Sequence, residues 1–533
     1  MSAWTRSVRI TGRCRCWDDI SDIQEATSVK KVGIFWPGDY RAKPNELATP
    51  NAKEATEQLQ QALRKLGRTP YVVPGFLTRP DEAISKLGPI DDPLIGVFVH
   101  WAYGPHTCDG VAGKDSPLLL ASNFSGVWPG LVALLNTGAC LESINRRHSR
   151  IWTDAPDWTK DAAFMERLDE WCSTGQIRYS EKELHRSAAV APEAQALGER
   201  IAAEVRNKRV LALMLGDTSM GMINGYFGPR ILSKHGFAEH KVDQAWLPDR
   251  VKKIDARRVE NAFRFVRDKG VAFHWREKDA DDFTEEATKT QLAMYLAVLD
   301  LLAEFKADCL GWQYQLGLLP VLPPSDFCEG LLNSTCRPET NGDLVITATE
   351  ADQGNLVPME LMKRLLKAKG LHQAVMFHDV RWGAEHDGRW LWVLLNSGSC
   401  GAYAFNHDAE TLRGVHSYRQ PAGYFPIPGG TFTGESLPGA MTWARSYIKN
   451  DVAWMDIGRG EVVALPPKVR DAWWEGTTRQ WPFMAADLFC SKETVMAHYE
   501  SNHIAVAYGD IFGEMVAVSQ ALGFQVRVLA RCN

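Results

Sequence analysis

The sequence predicts two successive α/β domains with open, doubly wound sheets, followed by a mixed, β-rich C-terminal domain. A chain of 533 residues is long enough for several separate cores. Apolar strands alternate with amphipathic helices along the first two thirds, a pattern typical of parallel sheets covered by helices. The last third is rich in glycine, proline and aromatic residues. We place an N-terminal extension at 1–28 and domains at 29–186, 187–341 and 342–533.

The strongest segments follow this order. The first domain opens with a buried strand at 29–36, a helix at 52–67 and a core strand at 94–101. An alanine- and glutamate-rich helix at 188–209 leads into the strand RVLALMLG at 209–216, and a long amphipathic helix covers 288–305. The third region holds DLVITATE at 343–350, a helix at 359–370 and strands at 374–382 and 390–399.

Composition excludes several classes of protein. Sixty Lys and Arg against 65 Asp and Glu give a net charge of −5, scattered along the chain, so nucleic acid is not an expected partner. The first 25 residues lack the apolar core of a secretory signal, and no apolar run is long enough to span a membrane. Eleven cysteines without a CxxC pair indicate reduced thiols. We therefore expect a cytoplasmic protein without membrane contact.

One glycine-containing loop, GDTSMG at 216–221, follows an apolar strand. It lacks the lysine of a P-loop and the GxGxxG spacing, so a tight strand-to-helix turn is favoured over nucleotide binding. The HExxH and GxSxG motifs of zinc proteases and serine hydrolases do not occur in the sequence.

Three residues offer metal-binding chemistry at predicted strand ends. Glu350 and Asp379 each end an apolar strand, and His503 stands just before another. Two carboxylates and one imidazole suit a divalent ion that keeps coordination sites open for substrate. Surface caps or ion-pair partners are the alternative interpretation, and spacing alone does not decide between them.

A series of short motifs supports the metal interpretation by resemblance. In order along the chain these are VGIFWPGDYR (32–41), VHWAYG (99–104), LGDTSMG (215–221), GWQYQ (311–315), LLNS (331–334), ATEAD (348–352), FHDVR (377–381), LNSGS (395–399), MTWAR (441–445), QWP (480–482) and SNH (501–503). With these motifs, the chain resembles the L-fucose isomerase family of metal-dependent aldose-ketose isomerases from about residue 30 to its end.

The resemblance implies a metal centre and a sugar site. Glu350, Asp379 and His503 would bind Mn²⁺, with Mg²⁺ or Co²⁺ as alternatives, and the two carboxylates would be the catalytic acid and base. The residues expected to contact the sugar are Gln313, Ser397, Tyr424, Trp481, Asn502, Arg41 and Trp101, the last two reaching the site of a neighbouring subunit. A homo-oligomer, either a hexamer or a trimer, is expected for the same reason.

The residue chemistry suits this reaction. Moving a carbonyl between C1 and C2 of a sugar passes through an enediolate, which a chelating divalent cation stabilises while carboxylates move protons. L-fucose or D-arabinose is the default substrate. The PIPGG turn after Phe425 and the cations Arg381 and Arg445 also permit an anionic sugar such as the 6-sulfo sugar sulfoquinovose. A non-catalytic sugar receptor and a metal-dependent epimerase or aldolase are the rival functions.

Overall fold

The computed structural model of the chain describes residues 30–123, 130–186, 188–217, 219–276 and 283–531. The N-terminal extension predicted at 1–28 lies outside these ranges. Within them, no helix combines the length and apolar character needed to cross a bilayer.

The first domain is built on a five-stranded parallel sheet in the order β2-β1-β3-β4-β5. Its elements are β1 (Lys31–Pro37), α1 (Ala42–Lys65), β2 (Thr69–Leu77), α2 (Pro80–Leu87), β3 (Leu94–Phe98), α3 (Gly104–Val111), β4 (Leu118–Asn123), α4 (Gly130–Ser143), β5 (Ser149–Thr153) and α5 (Ala162–Thr174). This is a doubly wound order, as the sequence predicts. Helix α1 begins ten residues before the helix predicted at 52–67, because Pro44 is compatible with a first helical turn and the buried face already starts at Pro44 and Asn45.

The strand order of this sheet reverses between β1 and β3. Arg41 follows β1 and Trp101 follows β3, so both residues lie at the carboxyl ends of neighbouring parallel strands. Ligands of open α/β sheets bind at this position. The first domain therefore contributes these two side chains to a cleft.

The second domain contains a four-stranded parallel sheet in the order β11-β10-β7-β8. The elements of this part of the chain are β6 (Leu184–His185), α6 (Pro192–Lys208), β7 (Val210–Leu215), α7 (Gly228–Leu232), β8 (Phe237–Val242), α8 (Trp246–Lys253), α9 (Ala256–Asp268), β9 (Ala272–Phe273), α10 (Glu285–Phe305), β10 (Cys309–Trp312), α11 (Asp326–Leu332) and β11 (Thr347–Thr349). Its winding is again double, with the reversal between β7 and β10.

The third domain is built around a closed ring of six strands, which forms a β-barrel. Its elements are α12 (Gln353–Ala368), β12 (Val375–His386), β13 (Arg389–Leu395), α13 (Tyr403–Asn406), β14 (His416–Ser417), β15 (Gly439–Lys449), β16 (Val452–Val462), α14 (Pro467–Glu475), β17 (Met484–Asp487), α15 (Lys492–His498), β18 (His503–Tyr508), α16 (Phe512–Leu522) and β19 (Gln525–Leu529). The strands run β15-β18-β12-β13-β17-β16, and pairing of β15 with β16 closes the ring. The predicted fold class, two parallel open sheets followed by a β-rich region, is confirmed.

Two strand pairings join residues on opposite sides of the predicted domain boundaries. The boundaries themselves remain predictions. β11 pairs with β10, so the second sheet extends beyond residue 341. β6, at the end of the first predicted domain, pairs with β19 and so adds to the sheet of the third domain. Neither pairing has a local signal in the sequence, because both partners lie far apart along the chain.

A buried ion pair fastens the first domain to the third. Arg150, on β5, donates from Nη2 to Glu500 at 2.8 Å and from Nη1 to the carbonyl of Tyr499 at 2.8 Å. Its side chain is packed against Gly138 of α4, where a Cβ would lie within 2.7 Å of the guanidinium group. The first domain is thus held against the barrel of its own chain.

Candidate active site

The structure brings Glu350, Asp379 and His503 together. Asp379 and His503 are directly opposite each other on the antiparallel strands β12 and β18, so their side chains share one face of the sheet. His503 Nε2 lies 3.3 Å from Asp379 Oδ1 and 3.9 Å from Glu350 Oε2. Three residues that are separated by up to 153 positions in the sequence therefore converge on one point.

Glu350 reaches this point through an unusual backbone. It follows β11 directly, and both Glu350 and Ala351 have left-handed φ angles, +60° and +56°. Non-glycine residues adopt this conformation at an energetic cost, and such residues cluster at functional sites. The turn directs Glu350 from the edge of the second sheet toward the barrel.

The spacing of the three side chains suits a six-coordinate divalent ion. At metal–ligand distances of about 2.1 Å, neighbouring ligands of an octahedral ion are about 3 Å apart and opposite ones about 4.2 Å. The distances of 3.3 and 3.9 Å fall within that range. Glu350 Oε2 is also buried without a hydrogen-bond partner among the described residues, as expected of an oxygen that binds an ion. As they stand, no three or more His, Cys, Asp or Glu side chains in the described ranges are placed to hold a metal ion together, so the three side chains would have to move closer to a common point for an ion to bind.

A buried chain of charges orients the imidazole. Asp352 Oδ2 lies 2.6 Å from His503 Nδ1 and also pairs with Arg445, and the side chains of Asp352 and Arg445 are completely buried. This arrangement leaves His503 Nε2 facing the two carboxylates, and it is typical of the outer shell around a metal-binding histidine. Burial would raise the pKa of Asp352, but Arg445 and His503 together lower it to about 2.

The three central groups also change one another's acidity. Burial raises the pKa of Glu350 to about 8, although His503 opposes the shift. Burial would lower the pKa of His503, but its hydrogen bonds to Asp352 and Asp379 raise it to about 9. A cluster with this excess of buried carboxylates favours a positive charge at its centre.

One cavity contains most of the predicted sugar contacts. Its lining includes the three residues above together with Arg41, Trp101, Ser397, Tyr424 and Trp481. Asn502 stands beside it and donates from Nδ2 to Asp379 Oδ1 at 3.2 Å. Aromatic rings and a few convergent polar groups are the usual composition of a small-molecule site.

Comparison with known proteins finds similarity to L-fucose isomerases. Residues 394–529 match the family model described as the L-fucose isomerase C-terminal domain. The predicted resemblance to the L-fucose isomerase family is confirmed. The L-fucose isomerase of Vibrio vulnificus (strain YJ016) is 25% identical over 385 residues, which are 61% of this chain and 65% of that protein. The alignment with this L-fucose isomerase thus spans less than two thirds of its length.

Within this L-fucose isomerase-like chain, Gln313 does not join the cavity. Its side chain accepts a hydrogen bond from Gln244 in a separate cleft. Gln315 lines the cavity instead and donates from Nε2 to Glu350 Oε1 at 3.3 Å. The GWQYQ motif contains both glutamines, and nothing in it shows which of the two turns toward Glu350.

The expected reach of Arg41 and Trp101 into the site of a neighbouring subunit remains a prediction. Both line the cavity of their own chain, because the first domain packs on the barrel of the same chain. Arg445, proposed above as a cation available to an anionic sugar, is committed to Asp352 and lies outside the cavity lining. Arg381 does line the cavity.

Proposed function

We propose that this protein is a metal-dependent aldose-ketose isomerase that interconverts an aldose and its 2-ketose through a cis-enediolate. The convergence of Glu350, Asp379 and His503 in an aromatic-lined cavity carries the proposal. The similarity of residues 394–529 to L-fucose isomerases supports it independently. A sugar receptor would have no need of this set of ligands.

The side chains divide the work between binding and proton movement. Glu350, Asp379 and His503 would hold Mn²⁺, or alternatively Mg²⁺ or Co²⁺, which when bound supplies Lewis-acid stabilisation of two adjacent substrate oxygens. Glu350 and Asp379 are placed to accept a proton from one carbon and return it to its neighbour. Trp101 and Trp481, each buried, restrict the access of water to the reacting carbons.

The substrate class depends on one buried cation. Arg381 is 8% exposed, its guanidinium lies 5.1 Å from the ring centre of Trp481, and its Nε has no hydrogen-bond partner among the described residues. Burial lowers the pKa of Arg381, which indicates that its charge is only partly compensated. This supports an anionic substrate, such as a 6-sulfo sugar, as an alternative to the default neutral substrates, L-fucose and D-arabinose.

Metal removal followed by product analysis tests the reaction. Protein stripped with a chelator should not convert any aldose, and Mn²⁺ should restore ketose formation seen by NMR in a panel of L-fucose, D-arabinose and sulfoquinovose. The His503→Ala variant should require far more Mn²⁺ for the same rate. Full activity of the metal-free protein, or no ketose from any aldose with any of the three ions, would contradict the proposal.

Replacement of Arg381 decides between the two sugar classes. If the sugar is anionic, Arg381→Met should raise KM for sulfoquinovose at least ~10-fold, the lower end of what a charge-assisted hydrogen bond contributes, and leave neutral aldoses unchanged. Arg459→Met is a matched control, since Arg459 pairs with Asp510 at the surface. Equal effects on both sugar classes would favour a neutral substrate.

The oligomeric state is a separate proposal. A hexamer or trimer is expected by resemblance, and analytical ultracentrifugation tests it. Because Arg41 and Trp101 line the cavity of their own chain, we expect an isolated chain to retain an assembled site. Loss of activity on dilution to the monomer would show that a neighbour is needed.

A further inference from the structure

A second cleft, of about 490 Å³, lies at the edge of the second sheet. Three neighbouring parallel strands end in line there, since Trp312 of β10 pairs with Leu215 of β7, and Leu215 pairs with Val242 of β8. The strand order reverses between β7 and β10, which is where open α/β sheets bind ligands. The first cavity lies at the β11 side of this same edge, where Gln315 and Glu350 line it, whereas the second cleft lies toward β8 and is lined by Lys241, Val242 and Gln244.

Two glutamine side chains cross the cleft and leave hydrogen-bonding atoms unpaired. Gln244 donates from Nε2 to Gln313 Oε1. Gln244 Oε1 and Gln313 Nε2 are then buried without partners among the described residues, although the two residues are only 8% and 2% exposed. Buried donors and acceptors are nearly always satisfied in folded proteins, so this pair points to a bound molecule.

Two glycines allow the amide of Gln244 to lie where it does. Gly216 has a φ of +104°, and a Cβ there would lie 2.6 Å from Gln244 Nε2. A Cβ on Gly317 would collide with Gln244 Oε1. Any larger residue at either position would displace the amide of Gln244, so the position of this amide in the cleft depends on these glycines.

The chemistry of the cleft selects a neutral, hydroxylated ligand. Lys241 pairs with Asp217 at the rim, and Asp243 adds a second carboxylate, so the local charge disfavours an anion. An unpaired acceptor beside an unpaired donor is complementary to a hydroxyl group, which donates and accepts at once. We propose that this cleft is a second binding site, for a neutral sugar or polyol. The proposal does not depend on the reaction assigned to the first cavity.

Amide hydrogen exchange of the full-length protein with xylitol tests the proposal. Xylitol has no carbonyl group and cannot be isomerised, so binding is measured without turnover. Xylitol should protect the backbone amides of 241–247, which lie outside the first cavity, and D-glucuronate, an anionic comparison, should not. Protection confined to the lining of the first cavity, no protection at any concentration, or equal protection by glucuronate would overturn the proposal.

Variants separate the two sites. Gln244→Leu and Gly317→Ala should each weaken xylitol binding in the cleft at least ~10-fold, as expected for a lost hydrogen bond or a filled space. Gln315→Leu, which changes the first cavity, is the matched control and should leave protection of 241–247 unchanged. If a variant does not fold, the exchange map of the unaltered protein decides alone; unchanged xylitol binding by folded variants refutes the site.

Discussion

Asp352→Asn should weaken metal binding and stability together, through two different partners. Asp352 Oδ2 meets both His503 Nδ1, at 2.6 Å, and Arg445. Asparagine has nearly the same shape and can keep one acceptor in place, but it removes the negative charge. The substitution therefore tests the charge rather than the packing.

The magnitude of each effect follows from burial. Arg445 is completely buried, and its other side-chain hydrogen bond within the described part of the chain joins it to Asn355 Oδ1 at 3.2 Å. Stranding a buried charge costs about 3–5 kcal/mol, and the retained acceptor of asparagine places the expected loss near the lower end. Weakened support for His503 should lower metal affinity by about 10- to 100-fold. Both losses are large enough to measure separately.

The assay combines Mn²⁺ titration with urea unfolding. Asp456→Asn is the matched control: Asp456 is also buried and pairs with Arg527 at 2.7 Å, but it does not line the cavity. It should lose comparable stability and keep its Mn²⁺ affinity. If Asp352→Asn binds Mn²⁺ as tightly as Asp456→Asn does, the assignment of Asp352 as the residue that orients His503 is wrong.

Three further predictions concern other parts of the molecule. Glu350→Gln should lower kcat at least ~10²-fold, because it removes a proton acceptor. The unaltered enzyme should place deuterium on the carbon beside the product carbonyl when it turns over in D₂O. A Glu350→Gln variant with normal kcat would contradict the role of Glu350 in proton transfer. Glu500→Ala should destabilise the protein by about 3–5 kcal/mol in urea unfolding, since it leaves Arg150 buried without its carboxylate partner. The control Lys160→Ala, which removes a surface ion pair, should change the stability by less than ~1 kcal/mol. Equal losses of stability in the two variants would contradict the stabilising role of the buried pair. Burial would raise the pKa of Glu183, but hydrogen bonds from the first turn of α15 hold this pKa below its ordinary value. The stabilising contribution of Glu183 is therefore complete above the unfolded pKa of about 4.3 and is lost as the pH falls through the lower folded pKa. The stability of Glu183→Gln should depend less on pH in acid than that of the unaltered protein, and an unchanged pH dependence in acid would contradict this.

Local sequence patterns predict the strands and helices that are marked by their own apolar or amphipathic residues. The strand β7 and the helix α10 match the predicted strand at 209–216 and helix at 288–305 within a few residues. The apolar run before Glu350 and the one after His503 also became strands. These segments are predictable without knowledge of their neighbours because their apolar residues are strongly periodic or form long runs.

Other features depend on contacts that no local pattern encodes. Asp379 was predicted at a strand end, but β12 continues to His386 because an irregularity between Val380 and Trp382 lets the strand bend past the polar residues. Closure of the barrel by β15 and β16, and the separation of Gln313 from Gln315, likewise follow from tertiary packing. Residue chemistry and resemblance indicate Glu350, Asp379 and His503 as candidate metal ligands, whereas their convergence depends on the fold.

The pairing of β6 with β19 has a consequence for the order in which the protein can fold during synthesis. The sheet of the first domain is formed by a continuous stretch of chain that ends at β5, so it can assemble once the ribosome has released that stretch. β6 leaves the ribosome soon afterwards, but its partner is the last strand of the chain, at Gln525–Leu529. β6 must therefore stay unpaired until β19 has been made, whereas the neighbouring edge of β16, at Val452–Val462, waits only for the last part of translation. We therefore expect the sheet of the third domain to be completed last, after the two parallel sheets.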